Sequence, residues 1–310
     1  MYLVCGEALY DVFLDSENGS GVLRLEAHPG GSPYNVAIGI ARLGGKAALL
    51  TGMSHDMLGQ RLFDILSREG VATDHLVRLG RRTTVSLVGV DAQGHPAYTF
   101  YGLGSADCSV TPDDIRPPGP DITGLHFGSF SLVVKPVADA FAQLVEQAGD
   151  RFVSVDPNVR TNVEPDVDLW RDRLTHYASR ADLIKISAED SGILFPGQSF
   201  ETLAADWISG GCRLVIVTDG GDDVLAWTAS GASARVTPDS FPVVDTVGAG
   251  DSFQAALLAK LAADGGGNPK AAVASMDAAS LSGLLGYAIS AARVTCGRRG
   301  ADLPRAADLH

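Results

Sequence analysis

The stretch DTVGAGDSFQAA, residues 245–256, joins a loop of small residues to an apolar helical run. The first N–H groups of a helix have no partner inside the helix, and the helix dipole adds positive potential at that end. Gly248, Ala249 and Gly250 have small side chains or none, so a ligand can approach these N–H groups closely. The pattern predicts an anion-binding site that suits a phosphoryl group.

Asp251 follows this loop directly. A carboxylic acid with an ordinary pKa of about 3.9 is ionised at neutral pH, so it can accept a proton from an attacking hydroxyl. Taken alone, the Gly-x-Gly-Asp pattern more often marks an aspartate that only stabilises a helix N-terminus. The choice between the two therefore depends on the other motifs of the chain.

Two N-terminal stretches carry polar groups that suit a sugar. GGSPYNVAIGIARLGG, residues 30–45, contains Gly31 and Asn35, and the Asn35 amide can both donate to and accept from a hydroxyl. CGEALYDVF, residues 5–13, contains Asp11, whose carboxylate can accept hydrogen bonds from two neighbouring hydroxyls. Each stretch taken alone is equally well explained as a plain helix start or a turn.

Further polar residues follow short apolar runs. They are Arg160 after the run 152–156, Ser187, Glu189 and Asp190 after the run 183–187, and Thr218 and Gly220 in the run 213–221. Ligands gather at the carboxyl ends of parallel strands. The carboxylates at 189 and 190 can hold Mg²⁺ through water, and Thr218 and Gly220 can line a nucleotide phosphate or ribose. Solvated turns are the alternative for each group.

Short apolar runs alternate with amphipathic helical patterns over most of the chain, which predicts an α/β fold with a mostly parallel central sheet flanked by helices. Segments of about 8–28 and 82–101 interrupt this rhythm with extended, hairpin-like patterns. They predict a small β-sheet lid over one edge of the core. We expect a single domain over 1–310.

Composition excludes several classes of protein. The net charge of −13 disfavours a nucleic-acid or anionic-membrane partner, since both need basic surface. The four cysteines are far apart and form no CxxC pair, so we expect free, reduced thiols rather than a zinc site or disulfides. The sequence has no recognisable signal peptide and no apolar run long enough to span a membrane, and we expect a cytoplasmic protein.

The stretches 30–45 and 245–256, in this order and at this separation, resemble the PfkB or ribokinase family of carbohydrate kinases. Shorter motifs are similar to its bacterial fructokinase branch: CGEALYDVF, FYGLGSAD, HFGSFSL, DPNVR, LFPG and VTCGRRGADLP. The resemblance implies a ribokinase-like fold with a β-sheet lid. It also implies ATP-dependent phosphorylation of the primary hydroxyl of a sugar, most simply fructose, with Mg²⁺ and, in relatives that use one, K⁺.

The resemblance also implies a role for each candidate residue. Asp251 would be the catalytic base and Gly248, Ala249 and Gly250 the anion hole; Asp11, Gly31, Asn35 and Arg160 would bind the sugar, with Arg160 also near the phosphates. Ser187, Thr218 and Gly220 would bind the nucleotide, Asp190 or Glu189 would hold Mg²⁺ through water, and the backbone around Asp245 and Val247 would bind a monovalent cation. A homodimer through the lid is a further implication.

The chain departs from the family pattern at three positions. Ser187 replaces an Asn, and Asp190 replaces a Glu, which makes Glu189 its rival for the metal. Gly102 stands where many relatives have an Arg, and the missing guanidinium disfavours an acidic sugar.

Other functions stay open on the sequence alone. A kinase of another ketose, of a sugar acid such as 2-keto-3-deoxygluconate or of a nucleoside would keep the same motifs, and Tyr98, Phe100 and Tyr101 are aromatic residues on which a nucleobase can stack. A sugar-binding regulator without catalysis is disfavoured by the retained Asp251 and its glycines. A dehydrogenase of the Rossmann type is disfavoured because no GxGxxG follows the first strand.

Overall fold

The computed structural model describes residues 1–18, 22–90 and 96–309. Its strands are β1 (Tyr2–Cys5), β2 (Leu9–Asn18), β3 (Val22–Gly30), β4 (Ala47–Leu50), β5 (Gly52–Ser54), β6 (Val77–Leu79), β7 (Thr84–Val90), β8 (Pro96–Tyr101), β9 (Gly124–Gly128), β10 (Phe152–Asp156), β11 (Leu183–Ser187), β12 (Leu214–Thr218), β13 (Val224–Thr228) and β14 (Ser233–Val236). Its helices are α1 (Ser32–Arg42), α2 (Met57–Arg68), α3 (Val137–Glu146), α4 (Val167–Ala178), α5 (Ala188–Leu194), α6 (Phe200–Ser209), α7 (Ala249–Asp264), α8 (Pro269–Ala274) and α9 (Ala278–Cys296).

Within this part of the chain, the main sheet has eight strands in the order β14-β13-β12-β11-β10-β9-β1-β4. The strands from β12 to β4 pair in parallel, and only β13 and β14 are antiparallel. The parallel strands are short apolar runs, as expected where helices cover both faces. This confirms the α/β class and the mostly parallel sheet.

The hydrophobic core lies on both faces of the main sheet. Side chains of β1 alternate between the faces: Tyr2 and Val4 pack in the cluster formed with α1, α7 and α9, whereas Leu3 and Cys5 pack in the cluster formed with α3 and α4. Helix α7 is buried on nearly all sides, because it lies between α1 and α9. The catalytic candidate at its start is therefore held by a helix of the interior.

A smaller four-stranded sheet has the order β3-β2-β7-β8. It confirms the small separate sheet expected for this fold class. Strand β2 pairs with β3 in the antiparallel sense and with β7 in parallel, and β7 and β8 form the predicted hairpin. The turn predicted at residues 92–94 lies outside the described residues.

The apolar run AALLTGM, residues 47–53, is typical of a single buried strand, but the structure divides it. The run 47–53 forms β4 in the main sheet and then β5 in a separate two-stranded sheet with β6. At Gly52 a Cβ atom would stand 1.9 Å from the Ala106 carbonyl oxygen, so the chain passes another backbone segment too closely for any side chain. This close approach depends on a distant residue, which periodicity does not reveal.

Two expectations about composition can be compared with the structure. Cys5, Cys108, Cys212 and Cys296 are free and buried. No helix in the described ranges combines the length and the apolar character needed to cross a bilayer.

Candidate active site

The loop before α7 turns at Gly248, which caps the helix with a left-handed φ of 79°. A Cβ atom at this position would stand 2.8 Å from the Ala301 Cβ, so both conformation and space require glycine. The turn delivers Ala249, Gly250 and Asp251 to the first turn of α7. The predicted anion-binding loop therefore leads into a real helix N-terminus.

Asp251 faces the start of α1. The Asn35 side-chain amide donates to Asp251 Oδ2 at 2.8 Å, and Ser32 also hydrogen-bonds this carboxyl. Burial raises the pKa of Asp251 above its ordinary value, while the hydrogen bonds from Ser32 and Asn35 and the charge of Lys185 oppose that rise. A general base works best with a pKa near the operating pH, and this environment moves Asp251 in that direction.

Gly31 fixes the entry to α1. It caps the helix with φ 101°, and a Cβ atom there would stand 2.7 Å from the Glu7 carbonyl oxygen. The N-termini of α1 and α7 thus meet, and they bring Gly31, Asn35 and Asp251 into one site.

Asp11 enters this site from the smaller sheet. Neighbouring strands align His28, Asp11, Ser86 and Phe100 in one row, so these side chains project from the same face. Burial raises the pKa of Asp11, a hydrogen bond from Ser86 and the charge of Arg160 lower it, and the charge of Asp251 raises it. The two carboxylates therefore lie close enough to influence each other.

Arg160 lies close enough to the site for its charge to act on Asp11. Its guanidinium is exposed and donates to the Val159 carbonyl oxygen at 2.9 Å. Its charge opposes the rise that burial causes in the pKa values of Asp11 and Asp190. An exposed cation in this position is free to turn towards an anionic ligand.

The predicted nucleotide residues lie at adjacent strand ends. Ser187 and Thr218 are direct partners at the carboxyl ends of β11 and β12, and Gly220 lies in the turn that follows, with φ 50°. Ser187 Oγ also caps α5 by accepting from the Asp190 N–H at 3.0 Å. The sheet therefore gathers these residues along one edge.

The two rival carboxylates differ in environment. Asp190 is buried and its Oδ1 accepts from the Val159 N–H at 3.1 Å, whereas Glu189 is exposed. Burial, reinforced by the charge of Asp156, raises the pKa of Asp190 to about 6. One oxygen of Asp190 thus holds the backbone at Val159, whereas the Glu189 carboxylate is exposed to solvent.

The Asp245 side chain organises the loop that precedes α7. Its Oδ1 accepts from the Val247 N–H at 3.1 Å and its Oδ2 accepts from the Gly300 N–H at 2.8 Å. This carboxylate therefore ties the loop before α7 to the segment that follows the C-terminus of α9.

Sequence reasoning assigned no role to a buried ion pair next to the site. Lys185 Nζ donates to Asp156 Oδ2 at 2.7 Å; Asp156 ends β10, and Lys185 lies in the middle of β11. Their signal was a charged residue within an otherwise apolar strand, most clearly in LIKIS (183–187). Ser32 and Ser86, which bond the two site carboxylates, gave no such signal, because serine is common in loops and strands.

Comparison with known proteins places this geometry in a family. The sequence model of the pfkB family carbohydrate kinases matches residues 1–307. A fructokinase from Rhizobium leguminosarum bv. trifolii is 34% identical over 265 residues, which cover 85% of this chain and 80% of that protein.

Two solved structures show the same fold. The fructokinase with bound ATP from Xylella fastidiosa superposes with a TM-score of 0.90 at 26% identity, covering 99% of this chain and 95% of that one. A fructokinase double mutant from Vibrio cholerae O395, in fructose, ADP and potassium ion bound form, gives a TM-score of 0.79 at 26% identity and covers 97% and 93%. The fold is ribokinase-like, and the chain belongs to the pfkB family of carbohydrate kinases.

Proposed function

We propose that this chain is an ATP-dependent fructokinase that phosphorylates the primary hydroxyl of fructose, with Asp251 as the catalytic base. The observation that carries the proposal is the meeting of Asp251, at the N-terminus of α7, with the Asn35 amide at 2.8 Å and with Asp11 of the smaller sheet. Relatives named fructokinase, one of them in a fructose and ADP bound form, support the choice of substrates.

The proposed reaction is an in-line transfer. The sugar oxygen forms a bond to the γ-phosphorus while the bond from that phosphorus to the β–γ bridging oxygen breaks, and ADP leaves with the electron pair. The hydroxyl proton moves to the Asp251 carboxylate. The N–H groups of Gly248, Ala249 and Gly250 stabilise the negative charge that develops on the transferred group.

The sugar would be oriented by groups on both sides of the site. Asp11 accepts hydrogen bonds from vicinal hydroxyls, and Asn35 and the open backbone at Gly31 contact the ring from α1. Arg160 pairs with the phosphate end of the substrates, since its guanidinium is exposed and already influences Asp11. Ser187, Thr218 and Gly220 line the nucleotide along the sheet edge.

The residues present fit a hydrated Mg²⁺ ion, because Asp190 and Glu189 offer the carboxylate oxygens that this ion prefers, directly or through water. When bound, Mg²⁺ would neutralise phosphate oxygens of the nucleotide. Glu189 is the freer ligand, since Oδ1 of Asp190 already accepts from Val159. A monovalent cation would bind backbone carbonyls around Asp245 and Val247, a loop that the Asp245 carboxylate holds in shape.

The smaller sheet would act as a lid within a single domain, excluding water from the transferred group. Its other face carries exposed apolar side chains: Leu14 opposite Leu25, with Leu23 on the same face as Leu25. We expect this face to pair with a second copy of the chain, giving a homodimer. Light scattering on the wild type and on Leu25→Glu tests this step.

The face of the smaller sheet that carries Asp11 and Phe100 favours a neutral sugar over a sugar acid. Phe100 packs edge-to-face on Phe130 at 5.0 Å between ring centroids. A Cβ atom at Gly102 would stand 2.2 Å from the Phe100 ring, so this ring fills the space that a longer residue at 102 would need. An apolar ring there offers no charge for a sugar acid. Tyr101 pairs with Val85 on the opposite face of the sheet and is exposed there, so it offers no stacking surface to a nucleobase in the site.

A coupled ADP-release assay with Mg-ATP tests the substrate. The panel is fructose, tagatose, ribose, glucose, 2-keto-3-deoxygluconate and adenosine. We expect selective turnover of fructose. Selective turnover of another compound would overturn the sugar assignment and keep the kinase, and binding of sugars without turnover would indicate a regulator.

Asp251→Asn tests the catalytic base. We expect turnover to fall by about 10²-fold or more, the usual scale for loss of a general base, while sugar and ATP still bind by thermal shift. Asp264→Asn is the matched control, because it removes a carboxylate from the other end of the same helix, where Asp264 is exposed and pairs with Lys260. Near wild-type turnover of Asp251→Asn would contradict the assignment.

A further inference from the structure

The ion pair of Lys185 and Asp156 is almost completely buried. The two side chains are 6% and 4% exposed, and the nitrogen-to-oxygen distance is 2.7 Å. Burial of two charges carries a desolvation cost that their attraction often does not recover, so apolar residues would serve stability equally well. The pair therefore calls for an explanation other than stability.

The position of the ammonium group suggests one. Lys185 Nζ lies 3.4 Å from the point where a Cβ atom of Gly250 would stand. Gly250 is in the first turn of α7 and directly precedes Asp251. Because residue 250 has no side chain, the lysine reaches the backbone of the proposed anion hole. A full positive charge thus lies against the same helix N-terminus that carries Asp251.

We propose that Lys185, oriented by Asp156, is the fixed positive charge that keeps Asp251 in its ionised, proton-accepting form. Lys185 is thus a positioning residue that acts through Asp251. The inference rests on the proposed function, since it presumes that Asp251 is the base.

The charges around Asp251 come from several elements. Helix α1 contributes two neutral donors, Ser32 and Asn35. Strands β2 and β10 contribute the carboxylates of Asp11 and Asp156. Their negative charges disfavour the ionised form of Asp251. Strand β11 contributes Lys185, the cation that lowers the pKa of Asp251.

The other titratable groups near Lys185 and Asp156 do not change this balance of charges around Asp251. Burial lowers the pKa of His126 on β9 to about 4, so its ring is neutral at pH 7 and adds no charge. Arg160 is exposed and His28 is half-buried, and the charges of both oppose the rise that burial causes in the pKa of Asp11. Asp156 Oδ1 has no hydrogen-bond partner in the described part of the chain.

The chemistry needs Asp251 without its proton before the transfer. The carboxylate then takes the proton of the sugar hydroxyl as the new oxygen–phosphorus bond forms and ADP leaves. Lys185 keeps its own protons throughout, so it stabilises the charged reactant form of the base. Without it, a larger fraction of Asp251 would be protonated and inactive at low pH.

The test compares the pH dependence of kcat/KM for wild type, Lys185→Gln and Asp156→Asn. Loss of the positive charge should move the acid limb of Lys185→Gln to higher pH by about one unit, so that activity falls more at pH 6 than at pH 9. Loss of the negative charge in Asp156→Asn should move the limb to lower pH. A purely structural pair predicts lower activity in both variants with an unmoved limb, and that result would overturn the inference.

Arg213→Gln is the matched control. It removes a basic partner from another buried aspartate, Asp182. This pair directly precedes β11 and β12, so it lies at the end of these strands that is opposite to the site. We expect its pH profile to match that of wild type. If Lys185→Gln does not fold, Lys185→Met, which keeps the length of the side chain without its charge, takes its place in the same comparison. An active Asp251→Asn would overturn the proposed base itself, whereas an inactive Asp251→Asn with an unmoved limb in Lys185→Gln would overturn only the inference.

Discussion

At the scale of single residues, the site depends on positions where a side chain cannot be accommodated. Gly31 and Gly248 start the two helices that meet at Asp251, and each combines a left-handed φ with a close neighbour. The sequence marked both as glycines of a ligand loop. A side chain at either position would collide with Glu7 or Ala301. The fold itself therefore requires glycine here, whether or not a ligand binds.

Gly31→Ala should lower the free energy of unfolding by more than 2 kcal/mol, because the strained backbone costs about 1–3 kcal/mol and the methyl group would also meet the Glu7 carbonyl oxygen. Gly44→Ala is the control: Gly44 has a φ of 83° but nothing within 4 Å of an added Cβ. Urea titration of both variants measures the difference. Equal losses would show that backbone strain alone explains the requirement at Gly31.

At the scale of elements, α1 is held at the end opposite to its site residues. Arg42 in its last turn donates to both carboxylate oxygens of Glu69, after α2, at 2.8 and 3.0 Å, and Arg305 donates to the same carboxylate. The Arg42 and Glu69 side chains are 16% and 14% exposed. Such a half-buried bidentate pair fixes the axis of α1, and so the direction of Asn35.

Glu69→Gln should lower the free energy of unfolding by about 1–3 kcal/mol, because Arg42 would lose the bidentate, half-buried carboxylate and keep only the more exposed Asp302 as a charged partner. Glu146→Gln is the control, since Glu146 also lies beside two basic side chains, accepting from Arg180 and standing 3.6 Å from His176 Nε2, but in an exposed place. Exposed pairs contribute about 0–1 kcal/mol. Similar losses in chemical denaturation would contradict a special role for Glu69.

The sequence predicted elements better than their ends or their packing. Alternation of short apolar runs and amphipathic helices was enough for the parallel sheet, because strands buried on both faces have few polar residues. The prediction of one strand over 47–53 was wrong. At Gly52 the chain passes close to the backbone of Ala106, which is distant in the sequence. Lys185 was visible as a charge in LIKIS, but its direction towards Gly250 follows from the spacing of β11 and α7, which no local pattern contains.

At the scale of the whole molecule, buried carboxyl groups lie between the smaller sheet and the core. Ser131 donates to Glu7 Oε2 at 2.7 Å, and Ser105 donates to Asp107 Oδ1 at 2.6 Å. Burial raises the pKa of Glu7 to about 7 and that of Asp107 to about 6. Each group is therefore more easily protonated in the folded than in the unfolded chain.

Glu7→Gln should stabilise the protein at pH 8 relative to wild type. A folded pKa above the unfolded value stabilises the protonated form, so this stability is present below about pH 4.5 and is lost as the pH rises through 7. The shift corresponds to a penalty of about 3 kcal/mol at high pH. Urea titrations at pH 5 and 8 measure the variant against wild type, and a difference that does not grow with pH would contradict the prediction.

The bond between Asp245 and the Gly300 N–H has a consequence for how the protein is made. The loop before α7 takes its shape from a residue that the ribosome adds 55 positions after Asp245. Asp11, which belongs to the same proposed site, is made near the beginning. A nascent chain released before residue 300 would carry Asp11 and Asp245 without the contact that shapes the loop before α7, so we expect phosphorylation to begin only after residue 300 has been added.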